Sequence, residues 1–129
     1  MLKVSEYLQS DNKKFYFLVQ GDGNFVVYEG DGPGPNQPNS STPVKWAAGT
    51  NHPQLKAVPN SVLTLHKAGL LTMQGYGKSW NSNTFHYPQA PYYLILQGDG
   101  NLVVYEGDVP NPQPETPVVW SWSTGAVNN

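Results

Sequence analysis

The sequence contains no cysteine. That excludes disulfides, thiolate metal sites and a thiol nucleophile, and leaves the core alone to stabilise the fold. Charged residues are scarce at 12%, about half the usual share. Net charge is −2, without a basic cluster, so nucleic-acid binding through a phosphate-neutralising surface is not expected. No apolar run approaches the roughly 18 residues that a membrane span needs, so no membrane insertion is expected. The start, Met1-Leu2-Lys3-Val4-Ser5-Glu6-Tyr7, lacks the apolar stretch of a secretory signal, which leaves a cytosolic protein, a mature form or one released by another route. Only six alanines occur, so good helix formers are few while helix breakers are everywhere.

Aromatic and turn residues fill the space: 8 Tyr, 4 Trp and 4 Phe stand among 13 Gly and 12 Pro. Aromatic and β-branched residues between frequent turn signals point to an all-β protein. A length of 129 residues suits one domain, 1–129, with a modest core.

The sequence repeats itself. Gln20-Gly-Asp-Gly-Asn-Phe-Val-Val-Tyr-Glu-Gly-Asp31 recurs as Gln97-Gly-Asp-Gly-Asn-Leu-Val-Val-Tyr-Glu-Gly-Asp108, identical at eleven of twelve positions. A drifted third copy lies between them, from Val62 to Gln74. Each copy closes on Trp-x-x-x-Thr: Trp46 to Thr50, Trp80 to Thr84 and Trp120 to Thr124. Self-similarity of this kind decides a fold. The chain reads as three related units, roughly 1–50, 51–84 and 85–129.

Each unit reads as a β-hairpin. In the first, strands over residues 15–20 and 24–28 flank the loop Gly21-Asp22-Gly23, with Gly23 at the left-handed position that such a loop requires. This register sets Leu18 opposite Val26 and Tyr16 opposite Tyr28. Because side chains alternate faces, Phe15, Phe17, Val19, Phe25 and Val27 make one wholly apolar face. Tyr16, Leu18, Gln20, Asn24, Val26 and Tyr28 make the other. The third unit repeats the division, with Tyr92, Leu94, Leu96, Leu102 and Val104 against Gln97, Asn101, Val103 and Tyr105. The middle unit keeps its apolar face (Leu63, Leu65, Leu71, Met73), but its other face has become Thr64, His66, Leu70, Thr72 and Gln74. One face is therefore expected to build the core and the other to bind. Three such hairpins suggest three small antiparallel sheets with pseudo-threefold symmetry, with Trp46, Trp80 and Trp120 meeting near the axis, each burying roughly 200 Å².

Gln-x-Asp-x-Asn-x-Val-x-Tyr, present twice intact and once degenerate, resembles the signature of the monocot mannose-binding lectins, also called bulb-type or snowdrop-type lectins. The resemblance covers nearly the whole chain. It implies the β-prism II fold and a non-catalytic, mannose-specific protein that needs no cofactor and no metal. It further implies that Gln20, Asp22, Asn24 and Tyr28 hydrogen-bond sugar hydroxyls while Val26 packs on the carbon face, and that Gln97, Asp99, Asn101, Tyr105 and Val103 do the same in the third unit. The chemistry suits a neutral polyol: a carboxylate accepts, while amides and a phenol both donate and accept. With His66, Ala68, Leu70, Thr72 and Gln74 at the signature positions, the middle unit is expected not to bind mannose. Two pockets per chain for mannose and mannosylated glycans are the expectation. Replacing Asn24 and Asn101 together by Ala is expected to abolish binding with the fold intact. Exchange of C-terminal strands within the family implies residues 118–124 as the segment through which a homodimer would form.

Two Pro-rich insertions depart from the pattern. From the first signature position to the closing Trp is 14 residues in the middle unit (His66 to Trp80) but 26 and 23 in the others. The extra length lies at 30–45 and 107–119, only in the units whose signatures are intact. Either these loops wall the pockets and select a glycan, or they are tolerated surface loops. Glu29, Asp31, Glu106 and Asp108 read as solvated turn acids rather than a glycosidase pair, and His52, His66 and His86 lack metal spacing. Asn39-Ser40-Ser41 is a glycosylation acceptor pattern. Two readings of other classes stay open: a defence or toxin protein that uses the lectin fold for targeting, and a sugar-independent interaction protein on the same scaffold.

Overall fold

The computed structural model describes residues 2–34, 38–52, 54, 61–66, 69–75, 78–84, 91–107 and 118–121. The described residues form strands and turns, arranged as three antiparallel sheets, the β-prism II architecture. In the first sheet β2 (Tyr7–Gln9), β3 (Phe15–Val19), β4 (Phe25–Glu29) and β5 (Val44–Ala47) are neighbours in that order. In the second, β1 (Leu2–Lys3) lies beside β6 (Val62–Leu65), followed by β7 (Leu71–Gln74) and β8 (Ser79–Asn81). The third runs β11 (Val118–Ser121), β10 (Leu102–Glu106), β9 (Tyr92–Leu96). The first two strands of the chain thus serve different sheets: β1 pairs with β6 and β2 with β3.

The hairpin register is the expected one, with Tyr16 opposite Tyr28 and Leu18 opposite Val26. The glycines that end the three turns behave alike. Gly23, Gly69 and Gly100 have φ of 95°, 86° and 87°, and each donates its N–H to the residue three before it: Gln20, His66 and Gln97. A side chain at this φ is strained, so glycine is required. The closing threonines explain themselves here. Thr50 Oγ1 donates to Gly23 O at 2.6 Å and Thr84 Oγ1 to Gly69 O at 2.8 Å, fastening each turn to the end of its sheet. Thr124 lies outside the described residues, as does Trp122.

The two faces separate as the alternation requires. Phe17, Val19, Phe25, Val27, Leu63, Leu71, Met73, Leu96, Leu102, Val104 and Val119 form one core shared by the three sheets. Trp46, Trp80 and Trp120 meet edge to face, with ring centroids 5.0–5.9 Å apart. The three indoles are only partly buried, each packed against this core rather than sunk within it. Units also brace one another: Asn12 Nδ2 donates to Gly98 O at 2.9 Å, and the His52 N–H to Asp22 O at 2.8 Å.

Candidate functional site

The outward face of the first sheet is not a bare surface. Tyr16, Leu18, Val26 and Tyr28 form a second apolar cluster, at most 9% exposed. Two cross-strand rows produce it, Tyr7–Leu18–Val26 and Gln9–Tyr16–Tyr28, because directly opposed residues share a face. The Tyr16 and Tyr28 rings lie 5.4 Å apart. Beside this floor opens a cleft of about 770 Å³.

Of the expected site residues in the first unit, Gln20, Asp22 and Tyr28 line this cleft, with Leu18 supplying aliphatic surface. They are held by one another. Asp22 Oδ1 accepts from Gln20 Nε2 and from the Asn24 N–H, both at 3.0 Å. The Tyr28 hydroxyl donates to Gln20 Oε1. This leaves ligand capacity: among the described residues Asp22 Oδ2 has no partner, and the Tyr28 oxygen can still accept. A carboxylate and a phenol are thus pre-set, which lowers the ordering cost of binding.

Val26 and Asn24 are placed differently. Val26 belongs to the floor, but it is 2% exposed and is not among the cleft-lining residues. Among the cleft-lining residues the aliphatic surface comes from Leu18, whereas the resemblance implies Val26 for that role. The Asn24 side-chain carbonyl accepts the backbone N–H groups of Phe25, Gly49 and Thr50 at 3.0, 2.9 and 3.2 Å. It ends the β4–β5 ladder, and these three contacts argue that Asn24→Ala costs stability as well as binding, against the expectation of an intact fold.

The third unit repeats the arrangement in part. Tyr93 and Tyr105 stack at 5.6 Å. Asp99 Oδ1 accepts the Asn101 N–H at 2.9 Å, and Gln97 Nε2 donates to the Tyr105 hydroxyl. Val103 is 2% exposed, like Val26. Ser121 Oγ donates to Asn101 Oδ1 at 2.8 Å. Asp99 is exposed, whereas Asp22 is half-buried. Both intact units carry an irregularity that the middle one lacks: a register shift between Val27 and Tyr28 against β5, and between Val104 and Tyr105 against β11. Such bulges re-aim side chains beside sites, and each falls at the tyrosine that ends the signature.

The middle unit has rebuilt the same place for stability. Where Asn24 receives the Phe25 N–H, Ser82 Oγ receives the Leu71 N–H at 2.9 Å. His66 Nε2 meets Thr72 Oγ1 at 3.0 Å. Glu29 and Asp31 are exposed, as solvated acids should be, while Asp108 and His86 lie outside the described residues. No cluster of three metal-ligating side chains exists among the described residues.

Burial, then the neighbouring Tyr16 and Asp22, push the Tyr28 hydroxyl up from 10.0 to about 12. Tyr28 therefore keeps its proton, and its donation to Gln20, throughout the neutral range. The folded chain holds this proton more tightly than the unfolded chain, so the associated stability is complete below pH 10 and is lost on rising to about 12. Melting temperature is expected to fall across that window, and Tyr28→Phe to shallow the fall. Thermal melts of both proteins from neutral to alkaline pH measure it.

The insertion of the first unit reaches the site: Pro38, Asn39 and Ser40 line the cleft, as does Ser5. No signal in the repeat pointed to Ser5, which precedes the first hairpin. The third unit's insertion, 108–117, lies outside the described residues.

No protein-family model and no curated protein matches the sequence. Solved structures do. A crystal structure of novel monomeric monocot mannose-binding lectins from Gastrodia elata superposes with a TM-score of 0.64 at 27% identity, covering 98% of this chain and 92% of that one. A lectin from Allium sativum gives 0.56 at 25%, covering 84% and 94%. A Japanese Marasmius oreades lectin gives 0.63 at 23%, covering 98% and 87%, a likeness of fold. These neighbours are lectins, and their likeness supports a carbohydrate-binding lectin rather than an enzyme.

Proposed function

We propose that this protein is a mannose-specific lectin with two pockets per chain, at Gln20, Asp22, Asn24, Val26 and Tyr28 and at Gln97, Asp99, Asn101, Val103 and Tyr105. The observation that carries the reading is the unpartnered carboxylate oxygen of Asp22 beside a phenol and an amide already oriented by hydrogen bonds. Mannose differs from glucose in its axial 2-hydroxyl. A fixed acceptor at that oxygen discriminates, because a misplaced hydroxyl leaves buried polar groups unpaired. Val26 contributes to the floor with Tyr16, Leu18 and Tyr28, and Val103 is as deeply buried in the third unit. Burial of a single sugar is small, so one site should bind on the order of millimolar, and two sites on one chain add avidity.

The test is the double variant Asp22→Asn with Asp99→Asn. The amide retains the oxygen that accepts from Gln20 and Asn24, but replaces the free acceptor by a donor. Each site should lose one charge-assisted hydrogen bond, about 1.5–3 kcal/mol, or roughly 10- to 100-fold in affinity. Calorimetry with α-methyl mannoside should show the heat of the parent protein vanish in the variant, with the glucose and galactose analogues silent throughout. Full binding by the variant would refute the assignment.

A further inference from the structure

We infer that the first cleft takes a neutral, mannose-terminated oligosaccharide, seating one sugar on the signature residues and a second between Ser5 and Ser40. The inference rests on the reading of Gln20, Asp22 and Tyr28 as the primary pocket. The cleft is open and its volume of about 770 Å³, within the roughly 300–1,000 Å³ of small-molecule sites, exceeds what one hexose ring fills. The signature groups line only part of it. Ser5 and the 38–40 segment line the remainder, and that segment belongs to the extra length that the middle unit lacks.

Ser5 is unusual. The Glu6 N–H donates to Lys3 O at 2.9 Å, closing a turn in which Ser5 takes a φ of 75°. This position favours glycine, yet a serine stands there. Its own N–H is fixed on Val19 O at 2.8 Å, and its hydroxyl has no partner among the described residues. The part of the lining that the insertion supplies is braced locally. Asn39 Oδ1 accepts the Ser41 N–H at 2.8 Å, and the Asn39 N–H donates to Thr42 Oγ1 at 2.9 Å. Ser40, between them, is exposed and lines the cleft. Strain tolerated at a site wall points to a use for the side chain. Two serines on the lining of one cleft suit the hydroxyls of a further sugar, since each can donate and accept. The described lining residues include no cation, the chain has no arginine, and Asp22 disfavours acidic sugars. The occupant is therefore neutral.

The experiment uses the full chain with Asp99→Asn, so that the first cleft alone reports. Calorimetry compares α-methyl mannoside with the α-1,2-, α-1,3- and α-1,6-linked mannobioses. At least one disaccharide should bind about tenfold tighter, the equivalent of one or two added hydrogen bonds. Ser5→Gly with Ser40→Ala should erase that gain. Because glycine is favoured at position 5, a thermal melt should show this variant no less stable than its parent. A disaccharide gain that survives the substitutions, or no gain for any linkage, overturns the inference while leaving the primary pocket standing. Failure of every sugar, α-methyl mannoside included, overturns the pocket reading and this inference together.

Discussion

Gly75→Ala should lower the stability of the whole chain by about 3 kcal/mol, or roughly 10 °C in melting temperature, and should selectively cripple the first pocket. Gly75 is buried at the end of β7, where a Cβ would stand 2.6 Å from both Gly23 O and Thr50 O. Both obstacles are backbone carbonyls, and neither can rotate away. Gly23 O is already engaged by Thr50 Oγ1 at 2.6 Å. Displacing it opens the turn that presents Asp22 and Asn24. Gly98 supplies the control. A Cβ there meets Asn12 Nδ2 at 2.7 Å, but that contact is the end of a side chain that can swing aside. Gly98→Ala should cost far less, near the loss of one surface hydrogen bond, about 1 kcal/mol. Thermal melts of the two variants, with mannoside calorimetry on Gly75→Ala, check both parts. Equal stability of the two variants would show that the first turn gives way without cost.

Gly75 also marks where sequence reading stopped. The alternation of Phe15, Phe17 and Val19 against Tyr16, Leu18 and Gln20 dictates which side chains share a face. A period of two leaves no other choice once Gly23 sets the turn, and so both faces, the hairpin register and the tryptophan meeting were legible. Contacts between units were not, because nothing local to Gln74-Gly75 records that the Gly23 turn of another unit lies against it. The same blindness hid Ser5 and Tyr7: two short strands at the start of the chain go to different sheets, and only the folded arrangement brings Ser5 to the cleft. A repeated motif also cannot say which of its members faces ligand and which faces backbone. Asp22 and Asn24 recur together in both copies. Yet Asp22 keeps an acceptor for the cleft while Asn24 spends its carbonyl on three backbone N–H groups.

That division of labour makes the two residues separable by substitution. Asn24→Ala should destabilise the protein by roughly 2–4 kcal/mol, since the N–H groups of Phe25 and Thr50 lose their acceptor in a place poorly reached by water; Thr50 is 2% exposed. The Gly49 N–H is exposed and adds little. The frayed end of β5 should also loosen the Thr50 clasp on Gly23, so sugar affinity falls with stability. Asp22→Asn should do the reverse, lowering affinity at the first site while leaving the melting temperature within about 2 °C of the parent, because its retained oxygen still serves Gln20 and Asn24. Asn24→Asp refines the point. It keeps an acceptor for the three N–H groups but removes the amide donors, so it should recover most of the lost stability and little of the lost affinity. Urea titrations paired with calorimetry place each variant on the two axes. If Asn24→Ala melts with the parent while losing sugar, its carbonyl is a ligand group first and a ladder terminus second, and the structural role argued from the three N–H contacts is wrong.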